Sequence, residues 1–144
     1  MVFQDGLAMR LRAAYLSVHR QFRGHFARFD VTNEQYIVLS LLADEDGLSQ
    51  SALTTRFCSD PNTVSAVLDL LEARGLLRRD SVPGDRRRHC VRLTEQGWTL
   101  QAKLAESCDV LSDRLRAAMT PQERETVLAC LKRIAEVMSS ADER

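Results

Sequence analysis

Three consecutive arginines, Arg86-Arg87-Arg88, follow Asp85 directly after a Val82-Pro83-Gly84 turn. Guanidinium groups keep their charge at any ordinary pH and present a rigid fork of donors. Such a cluster suits phosphate oxygens or the negative potential of a narrow minor groove. Asp85 stands where it can pair with one of the three and fix its direction. Upstream, Asn62, Thr63 and Ser65 are short side chains that can donate to or accept from base edges. Ser49-Gln50-Ser51 opens another helix, whose free amides can point at phosphates. Taken alone, an arginine triplet is as much at home on a solvated loop. Its position after these polar helix starts is what favours a duplex.

The elements that must position these groups follow from periodicity and punctuation. Leu7, Leu11, Tyr15, Val18, Phe22, Phe26 and Phe29 recur in steps of four and three, which predicts a long helix over 5–30. That stripe is longer than a small domain needs for its own core, so part of it is expected to pack on another subunit. Thr32-Asn33-Glu34-Gln35 reads as a capping box, opening a helix with apolar positions Tyr36, Ile37, Leu39, Leu41 and Leu42. Ser49 caps a short helix through Phe57. Asp60-Pro61 starts the next, with Val64, Val67, Leu68 and Leu71 inward and Gly75 closing it.

Leu76 to Asp80 and His89 to Leu93 read as strands of a hairpin with an arginine-rich tip. Thr94 opens a helix to about Ala118. Thr120-Pro121-Gln122-Glu123 caps a last one, striped by Val127, Leu131, Ile134 and Met138. The order α-α-α-α-β-β-α-α predicts a mainly α fold with a small β-hairpin. It is a winged helix-turn-helix over 32–94, flanked by helices over 5–30 and 95–139, in a single domain of 1–144.

Composition narrows the classes. The 144 residues carry zero net charge, yet 49–94 holds eight arginines against five acidic residues. That imbalance points to a polyanion partner for the middle third, although a solvated face would look the same. No apolar run is long enough for a membrane helix, and the start lacks a secretory signal, so a cytoplasmic location is expected. Cys58, Cys90, Cys108 and Cys130 form no CxxC pair and are expected to be free, buried apolar residues. No metal site or cofactor is expected, and neither a GxGxxG loop nor a nucleophile-base arrangement suggests an enzyme.

The ordered series Pro61-Asn62-Thr63-Val64-Ser65, Leu71-Glu72-Ala73-Arg74-Gly75-Leu76-Leu77-Arg78-Arg79, Asp85-Arg86-Arg87-Arg88 and Val91-Arg92-Leu93-Thr94-Glu95-Gln96-Gly97 resembles the MarR family of transcription regulators over essentially the whole chain. The resemblance implies a homodimer joined by the first and last helices and a pseudo-palindromic double-stranded DNA operator. It also implies repression released by small aromatic anions or oxidants. It makes Asp85 and Arg87 the wing pair, with Arg87 in the minor groove. Effectors of the family sit near the first, second and fifth helices, which here nominates Tyr15, His19, Arg23, Tyr36 and Trp98. For Trp98, plain packing is the favoured reading, with lining of a ligand cleft as the alternative.

Ala66 and Leu70 depart from the family, standing where basic side chains are common. The peroxide-sensing branch has a reactive cysteine in its first helix; this chain has none before Cys58, though Cys58 and Cys90 flank the DNA-binding elements. The rival reading is a winged-helix module for protein interaction without DNA binding.

Overall fold

A computed structural model describes residues 6–140, which form two compact units that divide after Cys108. In the first unit, α1 (Leu7–Phe26) runs on into a single 3-10 turn (Ala27–Phe29) and stops where Asp30 turns left-handed, at φ 55°. Its stripe contributes little to the core. Phe26 is buried, with Phe22 and Phe29 packed against the core, while Leu7 and Tyr15 face solvent.

Helix α2 (Asn33–Asp44) begins with the expected capping box: Gln35 N–H donates to Thr32 Oγ1 at 3.1 Å, and Thr32 N–H to Gln35 Oε1 at 3.1 Å. One inward position differs from expectation. Val38 joins Leu39 and Leu42 at the centre of the core, whereas Ile37 is exposed. α2 has core on more than one side, and this widens its apolar face beyond a simple stripe.

The strand β1 (Leu48–Ser49) pairs antiparallel with β3 (Asp85–Leu93), which pairs with β2 (Leu77–Val82), giving the order β1-β3-β2. Sequence reasoning missed β1, because two residues are too few to show alternation. Both hairpin strands also run further than expected, so Arg86, Arg87 and Arg88 belong to the outer end of β3. Only Pro83 and Gly84 form the turn, Gly84 at φ 86°.

Between β1 and β2 lie α3 (Gln50–Phe57) and α4 (Pro61–Ala73). Val64, Val67, Leu68 and Leu71 of α4 are buried, as its periodicity predicted. Leu76 N–H reaches back to Leu71 O at 3.0 Å while Gly75 takes φ 73°, so the helix closes as expected.

Helix α5 (Glu95–Ser107) is capped by Thr94, whose hydroxyl accepts from Gly97 N–H at 3.1 Å and donates to Gly75 O at 2.6 Å. At Gly97 the helix meets the backbone of Leu76: a Cβ there would stand 1.9 Å from Leu76 O. The Ser107 hydroxyl donates to Leu104 O at 2.7 Å, which leaves it to accept from His25 Nε2 at 2.8 Å and ties α1 to α5.

The long helix expected to reach Ala118 ends at Cys108. In the second unit, α6 (Asp109–Ala117) and α7 (Pro121–Ser140) follow, the latter opened by a Thr120–Glu123 capping box. Among the described residues of these two helices none is buried. No described helix is long and apolar enough to cross a membrane.

Candidate nucleic-acid interface

The turn between α3 and α4 is tight because Cys58 takes φ 54° and Asp60 caps α4 at once. The Asp60 carboxylate accepts from Thr63 N–H at 2.9 Å and from the Thr63 hydroxyl at 2.7 Å, and these bonds hold its pKa below the ordinary value. Thr63 is thus committed in part to its own cap. Asn62 is fully outward, and Ser65 is half-buried on the flank.

At the start of α3, the Ser49 hydroxyl is spent on Ala52 N–H at 3.0 Å, while Ser51 is exposed and Gln50 half-buried. Three of the proposed polar contacts (Ser49, Thr63, Ser65) are therefore less available than their residue types suggested.

Charge is distributed less evenly than counting implied. Arg56 pairs with Glu45, Arg78 with Asp80 at 3.0 Å, Arg79 with Asp69 at 2.8 Å, and Arg92 with Asp46 at 2.9 Å. Arg74 donates to Asp30 O at 2.7 Å. Asp46 also holds the Arg92 guanidinium firmly in its charged form. Neither Arg86 nor Arg87 has a side-chain ion pair among the described residues, and both are exposed. Asp85 works on its neighbours in two ways: it accepts Arg87 N–H at 3.0 Å and stands 3.8 Å from Arg88 Nε. The uncommitted cations of 49–94 therefore concentrate at the wing.

Tyr15, His19 and Tyr36 line one cavity of about 590 Å³, and His19 and Arg23 line a second of about 500 Å³. Trp98 lies outside both and is 42% exposed, so it is not packed into the core either. Sequence reasoning missed Asn33, which lines both cavities and is only 8% exposed. Its Nδ2 donates to His19 O at 3.1 Å and stands 2.9 Å from His19 Nδ1. Its Oδ1 is buried without a hydrogen-bond partner. An Asn inside a capping box reads only as a helix-start residue, so nothing in the sequence marks it.

The cysteines depart from expectation. All four are free, but only Cys108 is buried; Cys58, at the left-handed position of the turn, is exposed.

Two short helices in a tight turn, followed by a three-stranded sheet with a cationic hairpin, define a winged helix-turn-helix of the DNA-binding class. The sequence profile of the MarR family matches residues 31–89. A protein named for transcriptional regulation of the hcr operon in Thauera aromatica is 33% identical over 129 residues, covering 89% of this chain and 78% of its own. The chain belongs to the MarR family, whose members are transcription regulators rather than enzymes.

Solved structures agree in fold. The transcriptional repressor CouR, bound to a 23-mer DNA duplex, is 32% identical with a TM-score of 0.83, covering 92% of this chain and 94% of that one. Bordetella bronchiseptica BpsR, whose DNA binding is regulated by 6-hydroxynicotinic acid, is 26% identical with a TM-score of 0.80, covering 90% and 98%.

Proposed function

We propose that this protein is a homodimeric, cytoplasmic repressor that binds a pseudo-palindromic operator, with α4 in the major groove and Arg87 of the wing in the minor groove. The observation that carries this reading is the unpaired pair Arg86 and Arg87 on a hairpin beside an outward-facing α4 start. Ser49, Gln50 and Ser51 supply phosphate contacts through the α3 amides. Asn62 is the principal base reader, Thr63 and Ser65 are lesser contacts beside it, and Arg88 with Asp85 steadies the wing.

The test is binding to duplexes from the gene's own upstream region across a salt series. Phosphate neutralisation releases counterions, so affinity should fall steeply and linearly on a log–log scale, by about 0.9 in slope for each phosphate contacted. Equal binding to operator and scrambled duplexes at low salt would sink the regulator reading and favour a protein-interaction module.

The release of DNA is proposed to come from a small aromatic anion held near Tyr15, His19, Arg23 and Tyr36. Two observations favour it. Asn33 Oδ1 is a buried acceptor without a partner, costly to leave unmade, and a ring hydroxyl on such a ligand would satisfy it, whereas the carboxylate would not. The two cavities also touch both ends of α4, through Thr63 in one and through Arg74, the residue that ends the helix, in the other. A ligand that fits one orientation of α4 better than another shifts the DNA-binding equilibrium by that difference.

6-Hydroxynicotinate and related hydroxylated aromatic carboxylates, screened by thermal shift, should raise the unfolding midpoint; at a hundredfold excess over Kd the gain is about 2.7 kcal/mol. The gain should vanish in Arg23→Ala. A hit whose shift survives that variant would place the ligand elsewhere.

A further inference from the structure

The outward face of α4 ends in a leucine, an odd residue for a surface that meets a polyanion. Asn62, Ala66 and Leu70 lie four residues apart, on one ridge of the helix, and all three are exposed. Leu70 is 58% exposed and, among the described residues, is the only strongly exposed large apolar side chain between Ile37 and Trp98. The other valines and leucines of α4 are buried, so Leu70 serves no purpose in the core.

Asp69, the neighbour whose carboxylate would repel phosphates, is drawn to Arg79 of β2. The ridge is therefore uncharged. From Asn62 to Leu70 it spans about 12 Å at the rise of an α-helix, close to the width of the major groove. A leucine can neither donate to base edges nor neutralise phosphate. The apolar group that the major groove displays is the 5-methyl of thymine.

We propose that Leu70 is a specificity-determining residue that reads a thymine methyl in each half-site, with Ala66 small enough to let the helix approach. This rests on α4 entering the major groove, as proposed above. Burying one methyl is worth about fourfold in affinity.

The protein is used to select duplexes from a randomised pool. The selected duplex is resynthesised with deoxyuridine in place of one thymidine at a time, which removes only the methyl. Binding of the wild type and of Leu70→Ala is then followed by fluorescence anisotropy. At one thymidine in each half-site the wild type should lose about fourfold, and Leu70→Ala should bind the two duplexes alike. Leu70→Met, which keeps an apolar side chain of similar size, should retain most of the penalty, and the unfolding midpoints of both variants show that they fold. A selected duplex that tolerates deoxyuridine everywhere, or a penalty that persists in Leu70→Ala, overturns the role of Leu70 and leaves DNA reading intact. A pool that yields no preferred sequence overturns both.

Discussion

Arg87 and Arg79 are the same residue type in the same segment, yet they face different fates. Arg79 is bound to Asp69, whereas Arg87 is steered by Asp85 through its backbone amide and its guanidinium stays uncommitted. A group without a partner loses nothing internal when it meets phosphate, which is why the wing and not the arginine count should set the salt dependence. Arg87→Ala should therefore weaken operator binding and make the salt slope shallower by roughly one per protomer, with the oligomeric state unchanged by sedimentation. An unaltered slope would remove Arg87 from the interface. At this scale the caps at Thr32, Ser49, Asp60, Thr94 and Thr120 were legible, because capping is a local pattern. The pairing of Arg56, Arg78, Arg79 and Arg92, the orphaned oxygen of Asn33 and the exposure of Cys58 were not, since each depends on side chains that folding brings together.

Among the elements, α4 and its terminators came through in full, because its four buried residues, its Asp-Pro start and its Gly75 stop are all written within one stretch. What lay beyond reach was set by pairing across the sheet. β1 exists because Leu48 and Ser49 oppose Val91 and Cys90, and the hairpin strands are longer than their apolar residues because the ladder continues through the arginines. The break at Cys108 is likewise silent in a stripe that continues through it. Gly97 shows how a family motif turns into an element-scale constraint. The first turn of α5 rests on the Leu76 carbonyl, and a methyl group cannot occupy that space. Gly97→Ala should cost about 1–3 kcal/mol by the overpacking of a tight contact, read as a lowered urea midpoint. A variant as stable as the parent would mean that α5 can lift off Leu76 freely.

For the whole molecule, the surplus of apolar surface outside the reading head is the fact that needs an occupant. Val127, Leu128, Leu131, Val137 and Met138 of α7 are exposed, as are Leu7 and Tyr15 of α1, and a soluble chain seldom leaves so many large apolar groups in water. The length of the α1 stripe already hinted at this in the sequence, but a stripe cannot say whether its cover lies in the same chain. In the homodimer proposed above, a second copy of the chain would supply that cover and present a second α4, so that two half-sites one helical turn apart would be read together. Dimerisation and affinity should then fail together. Leu131→Glu combined with Val127→Glu should give a monomer by sedimentation velocity whose wing and α4 are intact. Its operator affinity should fall by about 10²–10⁴-fold, the gain ordinarily lost when two linked sites act singly, while its weak binding to a single half-site should match that of the parent. A monomer that still held the full operator with parental affinity would show that one reading head suffices, and the apolar face of α7 would then need another partner.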